Sequence, residues 1–255
     1  MDAATKEGKY IYCIMDSNQP QSFGTLGIGG RGDELHTVSF GDISALVSDA
    51  PLGKYRVSRD NSLTHEKAIE TVMAQYAVLP VRFATVAEDE DKVKRILEKE
   101  HDRFKDLLGS IADKTELSIK AIFKEDVVYK DILERYENIR SLKEKIASFA
   151  PEKTHRQRMA IGEMVEQALR SEKEIAKADI LDALSPLAFE VKTNDTYGEM
   201  MIINAAFFVE KEKEADFDQQ VQQLDDKYSE KVTLKYVGPL PPFNFVNISI
   251  NTEDY

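Results

Sequence analysis

Residues with the spelling of chemistry are present, and most lack the setting that chemistry needs. Gly27-Ile28-Gly29-Gly30-Arg31-Gly32 matches the G-x-G-x-x-G pattern of a dinucleotide loop. That chemistry requires a helix to open at the glycines so that its first amides can take a pyrophosphate. Asp33 to Phe40 has no helical stripe and reads as a strand, so the glycines are expected to form a flexible turn. The histidines His36, His65, His101 and His155 are far apart in the chain, and none has a second ligand at helical spacing. They are read as surface or capping residues. Cys13 lies in an apolar run, where a buried thiol is inert. Neither a G-x-S-x-G elbow nor a P-loop occurs. No catalytic residue, metal site or cofactor is implied.

Recognition chemistry is better represented. Arg82 interrupts the apolar segment Leu79–Thr85 and, by the period of a strand, faces away from Val81 and Phe83. Arg156 and Arg158 fall in the first turn of an expected helix, an end that disfavours cations. Such placement suggests either carboxylate partners, between domains or on another molecule, or a plain solvated helix start. Pro239, Pro241 and Pro242 precede Phe243 and Phe245, and three prolines in four residues leave an extended path with few backbone donors. The tail is therefore expected to run along a surface to Tyr255 instead of returning to a sheet.

These residues belong to a chain of 255, with 34 Lys+Arg against 46 Asp+Glu, a net charge of −12, 42% apolar residues and one Cys. The length allows two domains with their own cores. A lone cysteine excludes an internal disulfide framework and fits a reducing compartment. The acid excess argues against a nucleic-acid reader, which needs a basic face. Met1 to Gly8 is polar and reads as no secretory signal, and the most apolar stretch, Met200 to Val209, is too short to span a bilayer as a helix. A soluble, acidic, intracellular protein is expected. Its charge is uneven: residues 185–255 hold 6 basic and 13 acidic side chains, or −7, leaving −5 for residues 1–184.

The elements that must position these groups follow from periodicity. Strands are expected at Lys9–Met15, Leu35–Phe40, Ile43–Ser48 and Val81–Ala87, with helices over 61–78 and from the acidic run Glu88–Asp91 to Gly109. From Glu116 the order reads strand, helices, strand, strand, helix, strand, which is the ferredoxin-like βαββαβ order. Two long helices, 128–149 and 154–184, would reach roughly 33 and 45 Å. They exceed the ~20 Å that a small sheet covers. They must form a helical hairpin beside the sheet, a docking surface, or both. Thr154 and Gln157 are placed for a capping box on the second. The expected fold is α+β in two domains: an N-terminal mixed α+β domain over 1–115, a ferredoxin-like domain with an extended helical region over 116–243 that ends in the prolines, and a C-terminal tail over 244–255.

Four segments carry a resemblance. LPVRFATV (79–86), HRQRMAIGE (155–163), NAAFFVE (204–210) and YVGPLPPFNFV (236–246) are similar, in order and separation, to the gas vesicle protein F/L family. Leu240 and Phe243 stand where the family usually has tryptophan and tyrosine. The resemblance implies a non-enzymatic accessory protein needed for gas vesicle formation. It also implies contacts with the hydrophobic shell protein and other accessory proteins in early shell assembly. The protein would be cytoplasmic during assembly and then at the gas vesicle, with no nucleic acid or membrane partner. Arg82, Arg156, Arg158, Pro239, Pro241, Pro242, Phe243 and Phe245 are the candidate partner-binding or interdomain residues. The rival reading is a ferredoxin-like regulatory protein or enzyme that binds a small ligand in a concave polar pocket.

Overall fold

Tyr10 to Met15 are six consecutive residues without exposed surface, and a first α+β unit is built around them. The computed structural model describes residues 6–53 and 55–255, so the first five residues of the polar stretch Met1–Gly8 lie outside the described part. The first unit holds β1 (Glu7–Met15), β2 (Ser22–Thr25), β3 (Glu34–Phe40), β4 (Ile43–Pro51), α1 (Arg59–Met73), β5 (Val78–Pro80), β6 (Val86–Ala87), α2 (Glu90–Lys99) and α3 (His101–Ile111). Its sheet runs β2-β3-β4-β1-β5 through antiparallel pairs, with β6 also on β1. A bulge at Tyr12 moves the register from Ile11↔Val47 to Cys13↔Leu46. Tyr10, Tyr12 and Cys13 consequently share one core with Ala68, Ile69 and Val72 of α1.

Side-chain caps set two helix starts. Ser58 Oγ accepts from the Asn61 amide at 3.2 Å, and Asp89 Oδ1 accepts from the Lys92 amide at 2.8 Å. The acidic run Glu88–Asp91 thus contributes a cap as well as a favourable dipole interaction. Where helix or strand was expected without interruption, three segments break. The helix ending at Gly109 divides at Glu100 into α2 and α3 and continues to Ile111. The strand expected over Val81–Ala87 survives only at its end. Ala84 has φ +67°, its amide donates to Tyr10 Oη at 2.9 Å, and Thr85 Oγ1 donates to the Arg82 carbonyl at 2.7 Å. These local bonds replace the ladder there.

The second unit holds β7 (Lys114–Phe123), α4 (Glu125–Arg135), α5 (Glu137–Ile146), α6 (His155–Leu184), β8 (Glu190–Thr193), β9 (Met201–Glu210), α7 (Glu214–Tyr228) and β10 (Val232–Leu240). Its sheet order is β10-β7-β9-β8. Ile119, Ala121, Phe207 and Val209 from the strands pack with Ile132, Ile139, Leu169, Ile180, Phe217 and Leu224 from the helices. The helix expected over 128–149 is two helices, because Tyr136 adopts an extended conformation (φ −93°, ψ 91°). Its hydroxyl donates to Glu172 on α6 at 3.2 Å, and the turn lets Ile132 and Ile139 both reach the core. The helix expected over 154–184 is continuous, but Thr154 makes no capping bond. Its hydroxyl donates to the Ala150 carbonyl at 3.3 Å and accepts from Arg158 Nε at 3.1 Å, which precludes the expected box.

By compactness the units divide after Glu116, and Pro239–Tyr255 belongs with the first. The chain leaves the second sheet at Leu240, and the residues that follow pack within the first unit. Pro239 is accommodated in β10 because that strand is an edge and its missing amide needs no partner. The tail returns to the first sheet's margin at one parallel bridge, Ile248 with Val81, contrary to a purely superficial path.

Candidate partner-docking site

The second unit carries a groove of about 540 Å³ between α4, α5 and α6. Tyr129 and Leu133 line it from α4, Ile146 from α5, and Ile161 and Val165 from α6. The pairs Tyr129/Leu133 and Ile161/Val165 are each four residues apart, so each forms one face over one helical turn. They flank the fully buried stripe at Val128, Ile132, Ala168 and Leu169 and stay half-buried. Lys143 and Arg158 stand at the rim. Of the exposed large apolar residues, Phe149 (56%) and Met159 (55%) lie next in sequence to this region. The groove offers apolar area with cations beside it and can hold an apolar segment.

The expected site residues fall into two groups. Arg156 and Arg158 are exposed in the first turn of α6, and among the described residues neither has a carboxylate within ion-pair distance. Arg82 is exposed in the first unit, with its amide donating to the Ile248 carbonyl at 2.9 Å. Beside it lie the tail residues. Pro241 and Pro242 are buried, Phe243 and Phe245 are half-buried, and Pro239 is exposed in β10. Phe243 packs on the Tyr10/Tyr12 core, and with His65, Phe83 and Val57 it borders a second, smaller cavity of about 300 Å³.

Two functional anchors in the first unit escape a reading of the sequence. Glu116, 1% exposed, accepts from the Asn244 amide at 2.8 Å and from Asn244 Nδ2 at 2.6 Å. A polar residue inside the apolar run Pro241–Val246 was the only available signal. His65 donates from Nε2 to the Val81 carbonyl at 3.2 Å, which leaves Nδ1 to accept from Tyr10 Oη at 3.1 Å. Burial lowers its pKa to about 4, so the ring is neutral. Both groups tie elements together, and His65 does so with both ring nitrogens engaged while its ring borders the smaller cavity.

The remaining chemical motifs are also occupied structurally. Gly27–Gly32 leads through a single turn, Ile28–Gly30, into β3, and the Ile28 amide donates to Tyr12 Oη at 2.8 Å where a phosphate would need it. Burial raises the pKa of the Cys13 thiol strongly, which makes it a poor nucleophile. Among the described residues, no group of three or more His, Cys, Asp or Glu is placed to hold a metal, and no helix is long and apolar enough to cross a membrane.

The fold and this surface define an α+β protein whose described residues form two sheets and seven helices, with an apolar groove on a helical face. The chain belongs to the gas vesicle synthesis protein GvpL/GvpF family, whose sequence profile matches residues 8–247. It is 28% identical to gas vesicle protein F of Nostoc sp. strain PCC 7120, over 95% of this chain and 99% of the relative. The crystal structure of gas vesicle protein GvpF from Anabaena sp. PCC7120 superposes with a TM-score of 0.78 at 28% identity, covering 96% of this chain and 100% of that one. That of GvpF from Microcystis aeruginosa gives 0.71 at 26% identity, covering 93% and 98%. The α+β class and the family resemblance read from the four segments agree with these matches, and the chain is a gas vesicle accessory protein by family.

Proposed function

We propose that this protein acts in gas vesicle formation by binding other proteins, without catalysis. Its partners are the hydrophobic shell protein and other accessory proteins, met in the cytoplasm during early shell assembly and nucleation. The observation that carries this reading is the apolar groove of about 540 Å³ between α4, α5 and α6. A shell subunit outside its shell must hide apolar surface, and a groove of half-buried side chains offers a complementary one. The cations at the rim, in a chain of net charge −12, favour a partner segment with acidic residues over a wholly apolar one. Arg158 then belongs to the docking site, with Arg156 beside it. Phe243, Pro241 and Pro242 are read as holding the tail in place, leaving Arg82, Pro239 and Phe245 as secondary contacts.

The second unit supports a ferredoxin-like reading. Its β7, β8, β9 and β10 are the first to fourth strands of that unit, and the order β10-β7-β9-β8 is 4-1-3-2. The two compact units are proposed as separate folding domains, with residues 239–255 completing the first.

A pulldown of the purified full chain with the shell protein tests the function. Capture is expected, and Ile161→Asp should weaken it at least roughly tenfold by placing a charge in the apolar groove. Absence of capture by the full chain would sink the direct-contact reading. An unchanged affinity in a folded Ile161→Asp variant would move the site elsewhere.

A further inference from the structure

The basic end of the groove specifies what can enter it. Residues 143–158 carry Lys143, Lys145, Lys153, Arg156 and Arg158 against Glu144 and Glu152, a net +3 in a chain of −12. Among the described residues none of these five cations forms an ion pair, whereas nearby helical cations do: Arg135 with Asp131 at 2.8 Å and Arg170 with Glu166 at 3.0 Å. Arg156 and Arg158 also sit at the N-terminus of a 30-residue helix whose first turn has no acidic residue. The helix dipole disfavours cations there, and the bond from Arg158 Nε to Thr154 Oγ1 at 3.1 Å leaves the guanidinium without a carboxylate among the described residues. Carboxylates on a partner would supply that counter-charge.

The walls select the partner's backbone form. The groove is formed by three helices, whose interior amides and carbonyls are already paired, so it offers no ladder to an incoming strand. An incoming helix satisfies its own backbone and can meet the turn-spaced pairs Tyr129/Leu133 and Ile161/Val165 with its own apolar stripe. Resting on the reading that this groove docks a protein partner, we infer that its occupant is an amphipathic helix with a carboxylate-rich flank, lying against Lys143 and Arg158. A concave groove suits a helix better than it suits a flat lipid surface, although anionic lipid would share the charge preference.

Two synthetic amphipathic helices with the same apolar stripe, one flanked by Glu and one by Lys, separate these possibilities when titrated by fluorescence anisotropy onto the full chain. The Glu-flanked peptide is expected to bind at least roughly tenfold tighter, with the preference shrinking as salt rises. The double variant Lys143→Glu with Arg158→Glu should reverse the preference in a chain that still melts in one cooperative transition. Equal affinities, or a preference untouched by that variant, would overturn the inference. So would binding to anionic phospholipid vesicles together with no discrimination between the peptides. If the shell protein binds at this groove while neither peptide does, the acidic-helix inference fails and the docking function stands. If Ile161→Asp leaves shell-protein capture intact, the groove reading itself has failed.

Discussion

Glu116 and His65 each resolve a burial problem. Glu116, 1% exposed, accepts two bonds from Asn244. Glu116→Ala would leave both donors inside the protein without that acceptor. Such a loss costs about 3 kcal/mol, read as a lower urea midpoint at unchanged slope. His65 gives up its charge. Its folded pKa of about 4 lies below the ordinary 6.5, so from pH 6.5 down to 4 the unfolded chain takes up a proton that the folded one refuses. Stability from this ring is complete above pH 6.5 and is lost as pH falls toward 4, by on the order of 3 kcal/mol. Unfolding free energies measured at pH 7.5 and 4.5 should differ less in His65→Gln than in the parent by about that amount. Neither role was legible in the sequence. Strand period placed Glu116 opposite Leu117 and Ile119, on a face expected to be solvated, and His65 looked like an isolated helix residue.

At the scale of elements, local chemistry was readable where a residue acts on its own neighbours. The acidic run opening α2 carries its cap at Asp89, and Asp89→Ala should cost about 1 kcal/mol in thermal or urea unfolding. Thr154 has the same capping chemistry by sequence, but its hydroxyl is engaged by Ala150 and Arg158. The break at Tyr136 was hidden for a related reason. The stripe Ile132, Tyr136, Ile139, Leu142, Ile146 continues in helical period, and no Gly or Pro marks the turn. A hydroxyl contact with Glu172, 36 residues away, goes with the break. Tyr136→Phe, which removes that bond, should destabilise the second unit by roughly 1 kcal/mol. The groove inherits this illegibility, since its walls meet only because α4 and α5 are separate helices.

For the whole molecule, the tail decides how far sequence order and spatial order agree. Residues 239–255 follow the second unit in the chain and belong with the first in space. Phe243 joins the Tyr10/Tyr12 core, Asn244 binds Glu116, and Tyr255 Oη donates to Glu100 at 2.9 Å. A chain ending at Pro242 should therefore lose several kcal/mol, roughly 2–5 from one buried aromatic and its neighbours, and melt at a lower temperature. The net charge of −12 likewise acquires a geography, with acid concentrated over 185–255 and a basic stretch at 143–158 beside the groove.

The sequence by itself determined the α+β class, the order of most elements, the absence of a helical context behind Gly27–Gly32, and the family, through four segments. Those properties depend on neighbours within one or two turns, or on letters read in order. The tertiary structure alone decided that Arg158 borders a groove, that Thr154 does not cap, that His65 is neutral, and that the tail closes the first unit. Each of these depends on what lies beside a residue in space. Glu116 and Asn244 meet across 128 residues of chain, a separation over which periodicity carries no information.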